Sequence, residues 1–298
     1  MVMQKRNGFW QTILLAAIIT CAQSGCRQAT PGPAPNASAN QPATSQASAT
    51  PGTVVDKGDL KLRYQTPKTT DASKAHVVGS NPQAIEKLIS ELNQRLILPF
   101  DMDVSFEDCE EPDAYYDPEL HQITLCHQLI DAYYLLFAKK VKDKSKLDNA
   151  VRAATAATFF HELGHGLVDA WKIPTTGREE DAVDQLSTLV LIEATEDGEQ
   201  MALEGALTFK LFADLTKNEE KILWDEHSLD EQRFFDTICL VYGHDEEKYA
   251  YLVEKGTLPD ERAALCTEDY DKISRSWHQL LAPYLKRAEQ PRPKLKLR

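Results

Sequence analysis

The sequence predicts an α+β fold, with a small sheet near the front of the folded region and a predominantly helical body behind it. Three observations carry this. The strand-like segments "LKLRY", "DVSF" and "HQITLC", with alternating or β-branched residues, are confined to residues 60–126. From about residue 127 onward the chain reads as helix, through "HQLIDAYYLLFAKK", "KLDNAVRAATAATFFHELGHGLVDAW" and further segments to "RAALCTEDYDKISRSWHQLLAPYL". There is no internal repeat, and a hydrophobic fraction of 42% is enough for a core.

Composition divides the 298 residues into 1–25, 26–56 and 57–298. Lys5 and Arg6 precede "GFWQTILLAAIIT", an apolar run shorter than the ~20 residues of a membrane-spanning helix, and this order is that of a secretory signal peptide. Two cysteines follow, in "IITC" and "QSGC". The layout resembles a bacterial lipoprotein signal, which implies lipidation of the cysteine at the cleavage point. Cys26 has the favoured small residue before it; Cys21 has the favoured apolar residue three positions upstream, but Thr20 just before it. Cys26 is the preferred site, and ordinary secretion is the alternative. Residues 26–56, rich in Pro, Ala, Ser, Thr, Gln and Asn, cannot bury enough surface to offset ordering entropy and read as a disordered tether. The expected location is the bacterial cell envelope, with the membrane reached through a lipid anchor only.

The formal net charge is -13, and removing residues 1–25 takes away two positive charges and no acid, giving -15. Nucleic acid is excluded as a partner, because phosphate binding needs a basic face. The basic tail "KLKLR" reads as a frayed, solvated terminus. Oligomeric state is not legible.

In the folded region, "NPQAIEKLISELNQRLIL" places Asn81 as a helix cap, Pro82 at the first helical position, and Ile85, Leu88, Ile89 and Leu92 on one stripe. "YYDPEL" supplies turn residues between the last two strands, so that Cys109 and Cys126 lie on a hairpin-like pair. Four cysteines remain after the signal: Cys109, Cys126, Cys239 and Cys266. An exported chain meets oxidising conditions, and pairing Cys109 with Cys126 and Cys239 with Cys266 closes the shortest loops. A cysteine zinc site is disfavoured, since no pair has close CxxC-type spacing.

The long helix ends before Pro174 and contains "HELGH", residues 161–165. His161 and His165 lie one turn apart on one face, where both imidazoles can reach one metal ion. Glu162, next round the helix, lies beside the open position, where a held water would meet a carboxylate base. A chance HExxH occurs in on the order of one chain in a hundred of this length, so a third ligand is needed to support the site. Ala153, Ala154, Ala156, Ala157 and Gly164 leave little bulk on the helix, which suits packing on several faces rather than a solvated surface.

Downstream, "TTGREEDAVDQLSTLVLIE" has Thr176 and Glu179 spaced as a capping box, which leaves Glu180 free, one turn before Asp184 on the same face. HExxH on one helix and ExxxD on the next resembles the gluzincins, a group of zinc peptidases. The resemblance implies a zincin-like fold, Zn2+ as cofactor, Glu180 as third ligand beside His161 and His165, and Asp184 as the acceptor that orients a histidine ligand. Glu179, Asp181 and Asp169 remain alternative third ligands. A metzincin pattern fails, because Val168 and Trp171 stand where it needs Gly and His.

In "LWDEHSLDEQRFF", Ser228 and Glu231 are spaced as a second capping box, which puts His227 at a helix mouth beside Asp225 and Glu226. Gluzincins use a histidine or tyrosine outside the zinc helices to stabilise the oxyanion, and His227 is the preferred residue for that catalytic role; His244 is its rival. Arg233 binds a substrate carboxylate or pairs with a neighbouring acid. Ala114, Tyr115 and Tyr116 resemble the edge strand that pairs with substrate backbone in zinc peptidases. The run from about 103 to 284 is similar to a bacterial family of metallopeptidases whose substrates are undefined. The expected activity is hydrolysis of peptide bonds in a peptide or protein substrate by metal-activated water, with Glu162 as general base. The alternatives are a zinc-stabilised envelope binding protein that no longer cleaves, and a zinc amidase acting on cell-wall peptides.

Overall fold

The structure, a computed structural model, describes residues 55–68, 82–216, 221–287 and 293–297. The signal segment with Cys21 and Cys26, residues 26–54 and the cap Asn81 lie outside the described residues.

Strands β1 (Leu60–Tyr64), β2 (Met102–Glu107), β3 (Ala114–Asp117) and β4 (Gln122–Cys126) form one mixed sheet in the order β1-β2-β4-β3. Helix α1 (Pro82–Asn93) is the crossover that a parallel β1–β2 pair requires. Its Ile89 and Leu92 are buried, and the Asn93 side chain accepts from Leu60 N (2.7 Å) and donates to Leu60 O (3.0 Å), fixing helix to strand. Met102, Val104, Ile123 and Leu125 fill the core with no more than 1% exposure.

One local expectation needs correction. Cys109 follows β2 and Cys126 ends β4, and these strands run parallel; the hairpin is β3–β4. The segment "YYDPEL" is strand as far as Asp117, whose carboxylate accepts from Glu119 N (2.8 Å) and Leu120 N (3.0 Å) to set the turn.

Eight helices follow the sheet: α2 (His127–Ala138), α3 (Lys144–Trp171), α4 (Glu179–Ala194), α5 (Gly198–Thr216), α6 (Asp230–His244), α7 (Glu246–Tyr249), α8 (Tyr251–Glu254) and α9 (Asp260–Leu281). Asp143 caps α3 by accepting from Lys146 N, and Lys172 closes it in the left-handed region. The centre of α3 is buried on several faces, and two glycines set how closely its neighbours approach. A Cβ on Gly164 would lie 2.9 Å from Val183 Cβ on α4, and one on Gly166 would lie 2.7 Å from Met102 Sδ on β2. Glycine therefore permits the close crossing of α4 and the seat of α3 on the sheet.

Disulfides join Cys109 to Cys126 and Cys239 on α6 to Cys266 on α9. They indicate an oxidising, extracytoplasmic compartment. Among the described residues no helix is long and apolar enough to cross a membrane. The tail is not frayed: Leu295 is 1% exposed, donates its N–H to Ala194 O (2.7 Å) and accepts from Glu196 N (2.9 Å). The single leucine between its lysines anchors it.

Candidate metal centre

Because α4 crosses α3 at Gly164, the first turn of α4 lies against "HELGH". His161 Nε2 is 3.3 Å from His165 Nε2 and 3.1 Å from Glu180 Oε2, and His165 Nε2 is 3.4 Å from Glu180 Oε1. Glu162 is buried at 7% exposure, on the same helix.

The far side of each ring is held by a carboxylate. His161 Nδ1 lies 2.7 Å from Asp184 Oδ1 and His165 Nδ1 lies 2.8 Å from Glu179 Oε1. An ionised carboxylate only accepts, so each Nδ1 carries the proton. Arg233 grips Asp184 from behind, donating from Nε (2.6 Å) and Nη2 (2.8 Å), with its guanidinium 4.1 Å from the centre of the Phe209 ring. Of the two roles open to Arg233, it takes the pairing one.

Glu179 was expected to cap α4, and it does not. The cap is Arg178, with no side-chain bond, and Glu179 is the first helical residue, turned toward His165. Ser228 is likewise not the cap of α6. Leu229 occupies that position, its N–H donating to Gln232 Oε1 (3.1 Å), and Ser228 Oγ donates to Asp181 Oδ1 (2.7 Å). Asp181 is engaged there, and Asp169 accepts from Tyr116 OH (2.9 Å) and Lys172 Nζ (2.7 Å).

His227 reaches the centre from the loop before α6, with Nε2 2.9 Å from Glu180 Oε2 and Nδ1 3.3 Å from Asp225 Oδ1. Ligand atoms of His161, Glu180 and His227 all lie within 4.8 Å of one another, a grouping that could hold a metal ion. His244 is elsewhere, its Nδ1 2.9 Å from Tyr270 OH.

The donor set fits a metal. With both Nδ1 atoms protonated, two imidazole lone pairs and a carboxylate meet with only acceptors facing one another, an arrangement that needs a cation between them. Ligands about 2.0–2.1 Å from a tetrahedral ion stand about 3.3 Å apart, close to the spacings between the His161, His165 and Glu180 atoms. Without the ion a proton takes its place: burial pushes His161 down, but the Asp184 and Glu180 carboxylates outweigh it and raise it to about 9. Burial opposes ionisation of Glu180 and Asp184, yet the histidines and Arg233 hold both carboxyls well below their usual range. Glu162 goes the other way, raised by burial.

These groups line a cavity of about 760 Å3. Its lining includes positions 154, 157, 158, 161, 162, 165, 168 and 169 of α3, one face of that helix about 23 Å long at about 1.5 Å per residue. Strand β3, the sheet edge, borders it with Ala114, Tyr115 and Tyr116.

The family described as "Putative metallopeptidase" matches residues 64–281. The chain belongs to this family. No curated protein and no solved structure matches. Membership in this metallopeptidase family implies a bound metal and a peptide or protein substrate, and the matched residues contain every side chain of the centre described above. The sequence left two contacts unassigned. The hold of Glu179 on His165 was hidden because a capping role satisfied a local rule, and Asp184 as the acid that Arg233 pairs with was hidden because 49 residues separate them.

Proposed function

We propose that the chain is a zinc peptidase of gluzincin type in which His161, His165 and Glu180 hold the ion. The observation that carries this reading is the convergence of two imidazole nitrogens and the two oxygens of one carboxylate at ligand-to-ligand spacing. Two imidazoles and one carboxylate suit zinc with a position left for solvent. When bound, zinc polarises the scissile carbonyl and lowers the pKa of a water.

The protein's own groups do the rest. Glu162, its carboxyl raised by burial, accepts the proton of the attacking water and passes it to the leaving amine. Asp184 and Glu179 hold the His161 and His165 rings with their Nδ1 protons outward, so that both Nε2 lone pairs point inward. His227 faces a carboxylate at each nitrogen, Asp225 at Nδ1 and Glu180 at Nε2, and as the doubly protonated ring it donates from Nε2 to the carbonyl oxygen as that oxygen gains charge. The unpaired edge of β3 aligns the substrate backbone. Cys26 carries the lipid anchor, and residues 26–56 tether the enzyme to the membrane. Glu162→Gln is expected to keep stoichiometric zinc and to abolish cleavage of an unstructured protein; undiminished turnover removes Glu162 from the mechanism.

A second reading follows from the position of His227. If its Nε2 is a fourth ligand, the site is closed and the zinc structural, as in an envelope binding protein that does not cleave. Its 2.9 Å approach to Glu180 Oε2 is short for two ligands of one ion and suits a hydrogen bond, which favours the open, catalytic site. An amidase on cell-wall peptides would use the same groups on a different bond.

A further inference from the structure

Part of the cavity is a chamber lined by small and apolar residues, and the loop before α6 carries large apolar side chains into solvent. Ala154 and Ala157 of α3 face Ala202, Gly205, Ala206 and Phe209 of α5 around the cavity. The loop before α6 presents three consecutive apolar residues, Ile222 (52% exposed), Leu223 (70%) and Trp224 (83%). Glu226 and His227, the next residues but one, line the cavity again.

This exposure does not come from a loose segment. Lys221 Nζ is paired with Glu231 Oε1 (2.7 Å) and Ser228 Oγ with Asp181 Oδ1 (2.7 Å), so the lip is pinned at both ends. Burial of large apolar side chains is favourable, and three adjacent ones left in water mark a binding surface.

We propose that this lip and the small-residue chamber behind it select polypeptide segments rich in large apolar side chains. The inference rests on the peptidase reading and names its substrate class. The lip shares a loop with Glu226 and His227, which line the cavity, so it stands within a few residues of the cleft. A face about 23 Å long takes roughly seven extended residues at about 3.3 Å each, enough for one apolar side chain to enter the chamber beside the scissile bond while others rest on the lip. A lipid surface is the other apolar occupant, and the net charge of -13 opposes approach to an anionic leaflet.

The test uses the zinc-loaded full chain and its Ile222→Ser/Leu223→Ser/Trp224→Ser variant. Substrates are ten-residue peptides with leucine or phenylalanine, or serine in their place, and a four-residue peptide that reaches only the chamber. The wild type is expected to cleave beside leucine or phenylalanine at least tenfold faster in kcat/KM than beside serine. The triple variant should lose about five- to tenfold on the long apolar peptides and nothing on the short one. Cleavage without apolar preference, or equal rates for variant and wild type on the long peptides, overturns the proposal. So does wild-type binding to neutral phosphatidylcholine vesicles that the variant loses while peptide cleavage is unchanged.

If no peptide is cleaved, the peptidase reading fails, and binding still decides the inference. Trp171 and Trp277 are each 5% exposed, so Trp224 is the solvent-exposed reporter among the described tryptophans. A blue shift of emission on adding the apolar peptide, absent in Trp224→Ser, supports it; no shift overturns it.

Discussion

Replacing Gly164 by alanine tests whether the helix crossing, and not only the ligand residues, sets the metal centre. The new Cβ would lie 2.9 Å from Val183 Cβ and 3.0 Å from its Cγ1. Contacting carbons rest at about 3.5–4.0 Å, so α3 and α4 must part by roughly 0.5–1 Å at that level. Glu180 lies one turn before Val183 on α4 and moves with it, whereas metal–ligand bonds tolerate about 0.2 Å. Overpacking is expected to cost about 1–3 kcal/mol of stability, and zinc affinity should fall at least about tenfold, as when a ligand's support is removed. Competition with a chromophoric chelator reads the affinity, and melting of the metal-free chain reads the stability separately. Adding Val183→Gly removes both clashing atoms and leaves Val183 Cα at 3.5 Å from the new Cβ. That double variant should regain affinity while losing further stability, because a buried side chain is gone. Wild-type affinity in Gly164→Ala, or a loss that Val183→Gly does not relieve, refutes the reasoning.

Two further outcomes follow from the charges around the centre. Arg233→Met leaves Asp184 buried without its cation and should destabilise the chain by about 3–5 kcal/mol in urea unfolding, whereas a change under 1 kcal/mol would show that the clamp is not needed. His161 in the metal-free chain is raised to about 9, so its proton contributes stability that is fully present below about 6.5, its unfolded value, and lost as pH rises through 9. Zinc needs the deprotonated ring, so the gap in melting temperature between zinc-loaded and chelated protein should widen from pH 6 to pH 9. A gap independent of pH contradicts this assignment.

The legible part of the site was the part written at helical spacing. His161, Glu162 and His165 share a helix, and Glu180 and Asp184 share a face, so the 3.6-residue period alone brought each group together. The order of sheet then helices was readable because strand-like and helix-like patterns occupy separate stretches. What stayed hidden depended on long-range pairing. Parallel pairing of β2 with β4 skips over β3 and leaves no local mark. Thr176 and Glu179 satisfied a capping rule that the helix, starting at Glu179 itself, did not use. Ser228 was claimed by Asp181, 47 residues earlier, and the tail by Ala194 and Glu196. In each case a tertiary partner displaced a local one.

The most direct test of the metal centre is elemental analysis of the purified protein beside Glu180→Ala, His165→Ala and His227→Ala. One equivalent of zinc in the wild type and in His227→Ala, with its loss in the other two variants, is the expected result. Full zinc in Glu180→Ala or His165→Ala contradicts the ligand set, and loss in His227→Ala as well as in those two would make the site closed and the protein no peptidase.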